Sequence, residues 1–470
     1  MASCWATTVG EAKGENPSAE ITQSGAKSQE SSNKITKDEW LISIENCNVD
    51  ETTKKSQIEK VPSTLRHRHS NEDCFDPIVV SIGPYHHEKS ELKAFEELKI
   101  PIAKKFCRDH GNQLSIEQLY EVVEKVGKSA RECYAKGSTE RYDDESFNRM
   151  MFLDACFVLH FVFILREENV SNWKETEQEV DPRQYTDYYQ ILVNRDLILL
   201  ENQIPLLVLK VLMNFMFDGK GQKKSIHNFL ERYNISNSAF RELDLDGAPH
   251  LLYLLWKNLA SRPITKTLKQ EQYVWETCRV WETYRTVTKL ESVGIYVEPS
   301  KTGNLTHAEF KSHLTFGTLT LPPIFFNDLT KPLLLNLMAY EMCPHGPSDL
   351  GITSYICLMD SLIDRVDDVK ELRKRRILFN NMDSDQELAQ FFNQIAKDLV
   401  GDYSIYAEVK WKVDNHCQNK VQSSIAEWMH KYFSSPWSLF AFLGAIFTLA
   451  LTAVQAYFTV FPGKKGDKTS

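Results

Sequence analysis

MMFLDACFVLHFVFIL, Met150 to Leu165, is apolar on every side and carries a single carboxylate, Asp154. A helix without a polar face belongs either at the centre of a large core or in a bilayer. At 16 residues the stretch falls short of the ~20 that a span requires. Asp154 would also cost ~2.5–3.5 kcal/mol at a bilayer centre. The stretch therefore reads as the central helix of a soluble core, with Asp154 a buried carboxylate that needs a partner.

Outward from it, helical periodicity dominates. Ser115 and Gln118 form a capping-box pair ahead of Leu119, Val122, Val123 and Val126, and Ser384 and Glu387 repeat the pattern ahead of Leu388, Phe391, Phe392, Ile395 and Leu399. In RDLILLENQIPLLVLKVL, Arg195 to Leu212, two apolar halves flank Glu201, Asn202 and Gln203. Pro205 suits the first turn of a new helix, so one helix is expected to end near Glu201 and another to start at Pro205. The polar trio then forms a buried corner bonded to backbone ends. Only Gly294 to Pro299 and Phe310 to Leu321 alternate apolar with polar residues around Gly and Pro, which predicts a small β-hairpin.

With 42% hydrophobic residues in 470, the chain can bury a large core, and a body of roughly 400 residues exceeds the usual single-core limit. The expected fold is mainly α: a two-lobed helical body over residues 38–435 with one hairpin. Residues 1–37 are polar and should be disordered. Arg166 to Thr186 reads as a surface insertion.

The tail is different. WSLFAFLGAIFTLALTAVQAYFTVF, from Trp437 to Phe461, holds 25 uncharged residues. As a helix it would be ~37 Å long at ~1.5 Å per residue, enough to cross a hydrocarbon layer ~30 Å thick. Trp437 and Tyr457 suit the two interfaces, His430 and Lys431 stand before the span, and Lys464, Lys465 and Lys468 follow it in a short basic tail, residues 462–470. Membrane lipid is thus the first expected partner. Ala441, Gly444, Ala445, Thr448, Thr452, Gln455 and Ala456 form a small and polar stripe through which spans could pack, either with themselves or with another protein. The N-terminus has no apolar signal segment. That favours a cytosolic body in the endoplasmic reticulum or plasma membrane, an extracellular body being the alternative. Sequons at Asn169, Asn234 and Asn304 would be used only if the body faced a lumen.

No motif declares a reaction. The ten cysteines include no C-x-x-C pair and read as reduced thiols. His67, His69, His86, His87 and His345 lack a recognised metal-ligand spacing, so no metal or cofactor is expected. Gly219 to Ser225 (GKGQKKS) is not a phosphate loop and reads as a basic loop. Asp360, Asp364, Asp367, Asp368 and Glu371 form an acidic stripe that Lys370, Arg373, Lys374, Arg375 and Arg376 would neutralise locally. The net charge of −9 argues against a nucleic-acid partner.

Several strings together point to one family. Val80 to Lys99 (VSIGPYHHEKSELKAFEELK), Met150 to Leu159, the D-L-x-L-L-E-N-Q-I-P core of Arg195 to Leu212, Leu319 to Glu341, Tyr355 to Leu372 and the terminal span resemble the plant proteins grouped as domain of unknown function 247. TKLESVGIYV, from Thr288 to Val297, departs from the usual pattern, as do Met338 and Tyr340. The resemblance implies a mostly helical plant protein with a single C-terminal span and no established catalytic residue. It also implies recognition, since some grass members are implicated as pollen determinants of self-incompatibility. Two functions follow as expectations: a membrane-anchored protein that recognises or signals to another protein, or a membrane-bound enzyme whose site joins distant groups such as Asp154, Glu201 and a histidine.

Overall fold

The computed structural model describes residues 57–66, 72–110, 114–164, 187–215, 219–236, 242–260, 285–302, 304–381, 384–397, 399–418 and 436–460. The segment 1–37, the insertion from Arg166 to Thr186, Phe461 and the tail 462–470 lie outside the described residues. The fold is mainly helical, with two small sheets.

The MMFLDACFVLHFVFIL stretch lies in helix α3 (Asp144–Ile164), preceded by α1 (Lys93–His110) and α2 (Ile116–Arg131). Met151, Ala155, Cys156, Phe157, Val158 and Leu159 are sealed from water, as an all-round apolar helix requires. Ser115 caps α2 with the reciprocal bond from Gln118 in place. Around α3 pack α1, α2, α5 (Leu206–Met213) and α6 (Gly219–Glu231). Between α3 and α5 stands α4 (Asp187–Asp196), which ends five residues before Glu201, and Pro205 is the N-cap of α5. The expected corner exists, but it is longer than predicted.

Gly219 to Ser225, read as a basic loop, is the first half of α6. The helix is carried by its second half, where Ile226, Phe229 and Leu230 are buried. That burial outweighs the cost of two glycines, about 1 kcal/mol each.

Among the described residues the further helices are α7 (Leu251–Ala260), α8 (Val287–Ser292), α9 (Thr330–Glu341), α10 (Gly351–Leu362), α11 (Val366–Lys374), α12 (Asp385–Ile395), α13 (Ala407–Gln418) and α14 (Pro436–Val460), and a single helical turn, Ser63–Arg66, precedes α1. Strands β1 (Ile295–Pro299), β2 (Glu309–Ser312) and β3 (Gly317–Leu321) form a sheet in the order β1-β3-β2. β2 and β3 make the hairpin, pairing Phe310 with Leu319, whereas β1 runs parallel to β3 with Ile295 beside Gly317. The sheet therefore corrects the expected lone hairpin. A second sheet pairs β4 (Ile324–Phe326) with β5 (Leu378–Asn380) in parallel.

The expected two lobes do not form among the described residues. One buried apolar cluster runs from Ile58 to Val413, and buried polar ties cross it. Asn336 on α9 donates to Cys74 O at 2.9 Å and accepts from Leu200 N at 2.8 Å. Glu341, at the end of α9, accepts from Trp256 Nε1, Ile352 N, Thr353 N and Thr353 Oγ1 at 2.7–2.8 Å, so it caps α10 and holds α7 to it. One side chain thus satisfies helix-end amides that its own helix cannot supply.

Among the described residues, two helices are long and apolar enough to cross a membrane, Asp144–Phe163 and Phe440–Tyr457. The first is 78% buried in the body, and none of the second is buried.

Candidate functional site

The chain between Cys74 and α1 contains an irregular run, Ile78 to Gly83, bent at Ile78 and Val79 and again at Gly83, whose residues Val79, Val80, Ser81 and Ile82 are buried. It joins neither sheet. Its backbone groups still require partners, and side chains supply them.

Asp196, the last residue of α4, accepts from Ile78 N, Val79 N and Val80 N at 3.0, 2.8 and 3.1 Å. Asn202 works both ways: its Oδ1 accepts from Ile82 N at 2.7 Å and its Nδ2 donates to Val80 O at 3.0 Å. The Lys99 ammonium, 1% exposed, donates to Ser81 O, Glu96 Oε1 and Asp154 Oδ1 at 2.6, 2.6 and 2.5 Å. The other oxygen of Asp154 accepts from Gly83 N at 2.7 Å. Gln203 donates to Leu197 O and Leu199 O at 2.9 Å and accepts from Leu252 N at 3.1 Å, tying the corner to the start of α7. These side chains replace a neighbouring strand. Gly83 completes the passage at φ +74°, where a Cβ would meet Gln203 O and the Tyr134 hydroxyl at 2.8 Å.

Burial pushes the Asp154 carboxyl up, and Lys99 opposes it. Burial also raises Asp196, against the pull of its three amides and Arg195. Each carboxylate oxygen of both groups has a hydrogen-bond donor supplied by the fold.

Glu201 is placed differently. Its Oε1 accepts from Val61 N at 2.7 Å, while Oε2 lies 2.9 Å from Arg66 Nη2 and 3.3 Å from His86 Nε2. Asp76 stands opposite, 3.2 Å from Arg66 Nη1, 3.3 Å from Lys89 Nζ and 3.6 Å from His86 Nδ1. Together with Lys60, Ser63 and Tyr85 these residues line an open cleft of about 350 Å³. Burial pushes Glu201 up, but His86, Arg66 and the Val61 amide outweigh it and hold the carboxyl below its ordinary range. Asp76 is likewise raised by burial and lowered further by Arg66, Lys89 and His86, with a net downward shift. Both are therefore ionised at neutral pH.

Asp76, His86 and Glu201 bring possible ligand atoms within 4.8 Å of one another. Arg66 already bridges the two carboxylates, so the protein itself supplies the cation they attract. The combination of Asp154, Glu201 and a histidine is not assembled in this cleft: Glu201 and His86 line it, and Asp154 does not.

The other sequence candidates have separate places. His345 contacts Glu59 through its backbone N and Nδ1 at 2.9 and 3.0 Å. The neighbouring Cys343 thiol is pushed far up by burial and Glu59, which disfavours the nucleophilic thiolate. His87 lies 3.6 Å from Glu96, and His67 and His69 lie outside the described residues. In the acidic stripe, Asp368 is 2% exposed and accepts from Thr288, Asp364 and Arg365, while Lys374 and Arg375 pair with Glu371. The described cysteines are free thiols.

Sequence reading missed Lys99, Asp196, Arg66 and Asp76. Lys99 left a usable signal, because it falls on the stripe of Phe95, Ile102 and Phe106, the buried face of α1. Asp196 and Arg66 left none, since Ile78 to Val80 and Glu201 lie more than a hundred residues from them, and Asp76 left none because its partners Arg66, His86 and Lys89 follow no helical or strand spacing.

A family model described as a plant protein of unknown function, DUF247, matches residues 58–451. The chain is similar to two proteins of Arabidopsis thaliana. UPF0481 protein At3g47200 is 24% identical over 436 residues, covering 84% of this chain and 86% of the relative. Putative UPF0481 protein At3g02645 is 24% identical over 531 residues, covering 90% and 94%. No solved structure matches. The matched span takes in the Ile78 to Gly83 run, the E-N-Q corner, the cleft and the start of the exposed apolar helix: the chain belongs to the DUF247 family of plant proteins.

Proposed function

We propose that this chain is a membrane-anchored, non-enzymatic recognition protein, in which α14 crosses the bilayer and the helical body binds another protein. The observation that carries the reading is the exposure of α14: Phe440, Phe447, Leu449 and Tyr457 are each more than 60% exposed. An apolar surface of this extent calls for a non-aqueous environment. The body's buried carboxylates support the second half of the reading, since Asp154 and Asp196 serve the backbone. In the span, Thr448 and Thr452 bond to carbonyls of their own helix at 2.8–3.1 Å. Gly444 then offers the close approach through which two spans would pack. Protein recognition remains the family-level expectation carried over, with the body on the cytosolic side of the endoplasmic reticulum or plasma membrane.

Alkaline carbonate extraction of cell membranes tests the anchor. The full chain should stay in the pellet, and a chain ending at Ser435 should move to the supernatant. Release of the full chain by carbonate contradicts the reading. Glycosidase treatment of the same membranes tests the side. Asn304 is 3% exposed, with its Oδ1 taken by Thr306, so the informative sequons are Asn169 and Asn234. A cytosolic body leaves both without sugar.

A further inference from the structure

We propose that the cleft between Arg66, His86 and Glu201 binds a small ligand through an oxyanion group, a carboxylate or a phosphate. The proposal does not rest on the membrane reading.

Hydrogen-bond accounting points to the ligand's chemistry. His86 is 3% exposed and lines the cleft, yet its ring nitrogens meet only Glu201 at 3.3 Å and Asp76 at 3.6 Å, neither in a well-aligned hydrogen bond. A buried ring held this loosely is poorly satisfied and marks a place where a better-aligned partner belongs. The acceptors are already committed. Glu201 Oε1 is held by Val61 N, and Asp76 takes Arg66 and Lys89.

At the rim, Lys60 is exposed, lies 5.7 Å over the Tyr85 ring and forms no ion pair among the described residues. Ser63 adds a hydroxyl beside it. Donors thus exceed acceptors. Three cationic side chains, Lys60, Arg66 and Lys89, face two carboxylates, so this cleft carries positive charge within a chain of net charge −9.

A divalent metal is the competing occupant of Asp76, His86 and Glu201. It would have to displace the Arg66 guanidinium from both carboxylates and sit beside the Lys89 ammonium. An oxyanion instead meets Lys60 and His86 with charge-assisted hydrogen bonds, beside an Arg66 guanidinium that stays on its two carboxylates, and leaves the existing pairs intact. About 350 Å³ suits a small metabolite and not a polymer.

Calorimetric titration of the full chain in detergent, in a buffer free of phosphate and carboxylate, tests this. The probes are inorganic phosphate, malonate and zinc chloride, each alone. We expect saturable one-to-one binding of phosphate or malonate, the stronger of the two naming the oxyanion class. Lys60→Ala, at the solvent-facing rim, should weaken it by about tenfold or more, and Lys89→Ala, which removes only a nearby positive charge already paired with Asp76, by less, with an unchanged melting temperature of the Lys60→Ala variant certifying the fold. Binding should also shift the His86 ring resonances. Three results overturn the proposal: no saturation of either anion below ~10 mM, anion binding indifferent to both lysine substitutions, or zinc binding that Asp76→Asn abolishes while neither anion binds.

Discussion

Lys99→Met is expected to destabilise the body by about 3–5 kcal/mol, because it strips the partner from a carboxylate that has left water entirely. Asp154 is 1% exposed and would retain only the Gly83 amide; Ser81 O would lose its donor as well. Lys99→Met combined with Asp154→Asn should recover much of the loss, since an amide keeps an acceptor for Gly83 and carries no charge. Burial raises the Asp154 pKa and Lys99 opposes that rise. A carboxyl raised in the fold weighs against stability as pH climbs from its unfolded value through its folded one. The Lys99→Met defect should therefore be largest at neutral pH and shrink as Asp154 protonates. Chemical denaturation of the full chain in detergent at several pH values reads both effects. A cost under ~1 kcal/mol, or a double variant worse than the single one, contradicts this account of the pair.

Asp196→Ala should cost a similar ~3–5 kcal/mol by a different route. Three amides lose one acceptor: Val79 and Val80 are buried, at ~1–3 kcal/mol each when left unpaired, while water can reach half-exposed Ile78. Arg195 also loses its 2.8 Å partner, although its bonds to Asp73 O and Asp76 O remain. Asp196→Asn keeps one acceptor oxygen and should fall between wild type and alanine. Limited proteolysis near residues 76–84 should accelerate in the same order. Equal melting curves for all three proteins would contradict the prediction.

The helices were legible where local chemistry decides them. Ser115 with Gln118 marked the start of α2, and the apolar surround of Asp154 marked α3 as core. The corner at Glu201 to Pro205 was visible because proline and a polar trio interrupt an apolar run. What joins these elements was not visible. Ile78 to Ile82 carried no strand or helix signal of its own, and its backbone is satisfied by side chains from α1, α3, α4 and the corner, which no periodicity encodes. β4 and β5 have three residues each and lie more than fifty residues apart, so neither could be paired from sequence. In α6, burial after Ser225 decided the structure and local glycine content misled. The cleft was legible only as fragments: Glu201 stood out, His86 was one of several scattered histidines, and Arg66 and Asp76 had no pattern to mark them.

Asp196, Asn202, Lys99 and Asp154 satisfy the backbone of Ile78 to Gly83 in place of a neighbouring strand. Amide hydrogen exchange of the full chain in detergent, resolved to residues 76–84, tests it most directly. The amides of Val79, Val80, Ile82 and Gly83 should exchange as slowly as those of α3, through global opening alone, and Asn202→Ala should speed Ile82 selectively. Exchange of these four amides within minutes in the wild-type protein, at the rate of an open loop, would contradict it.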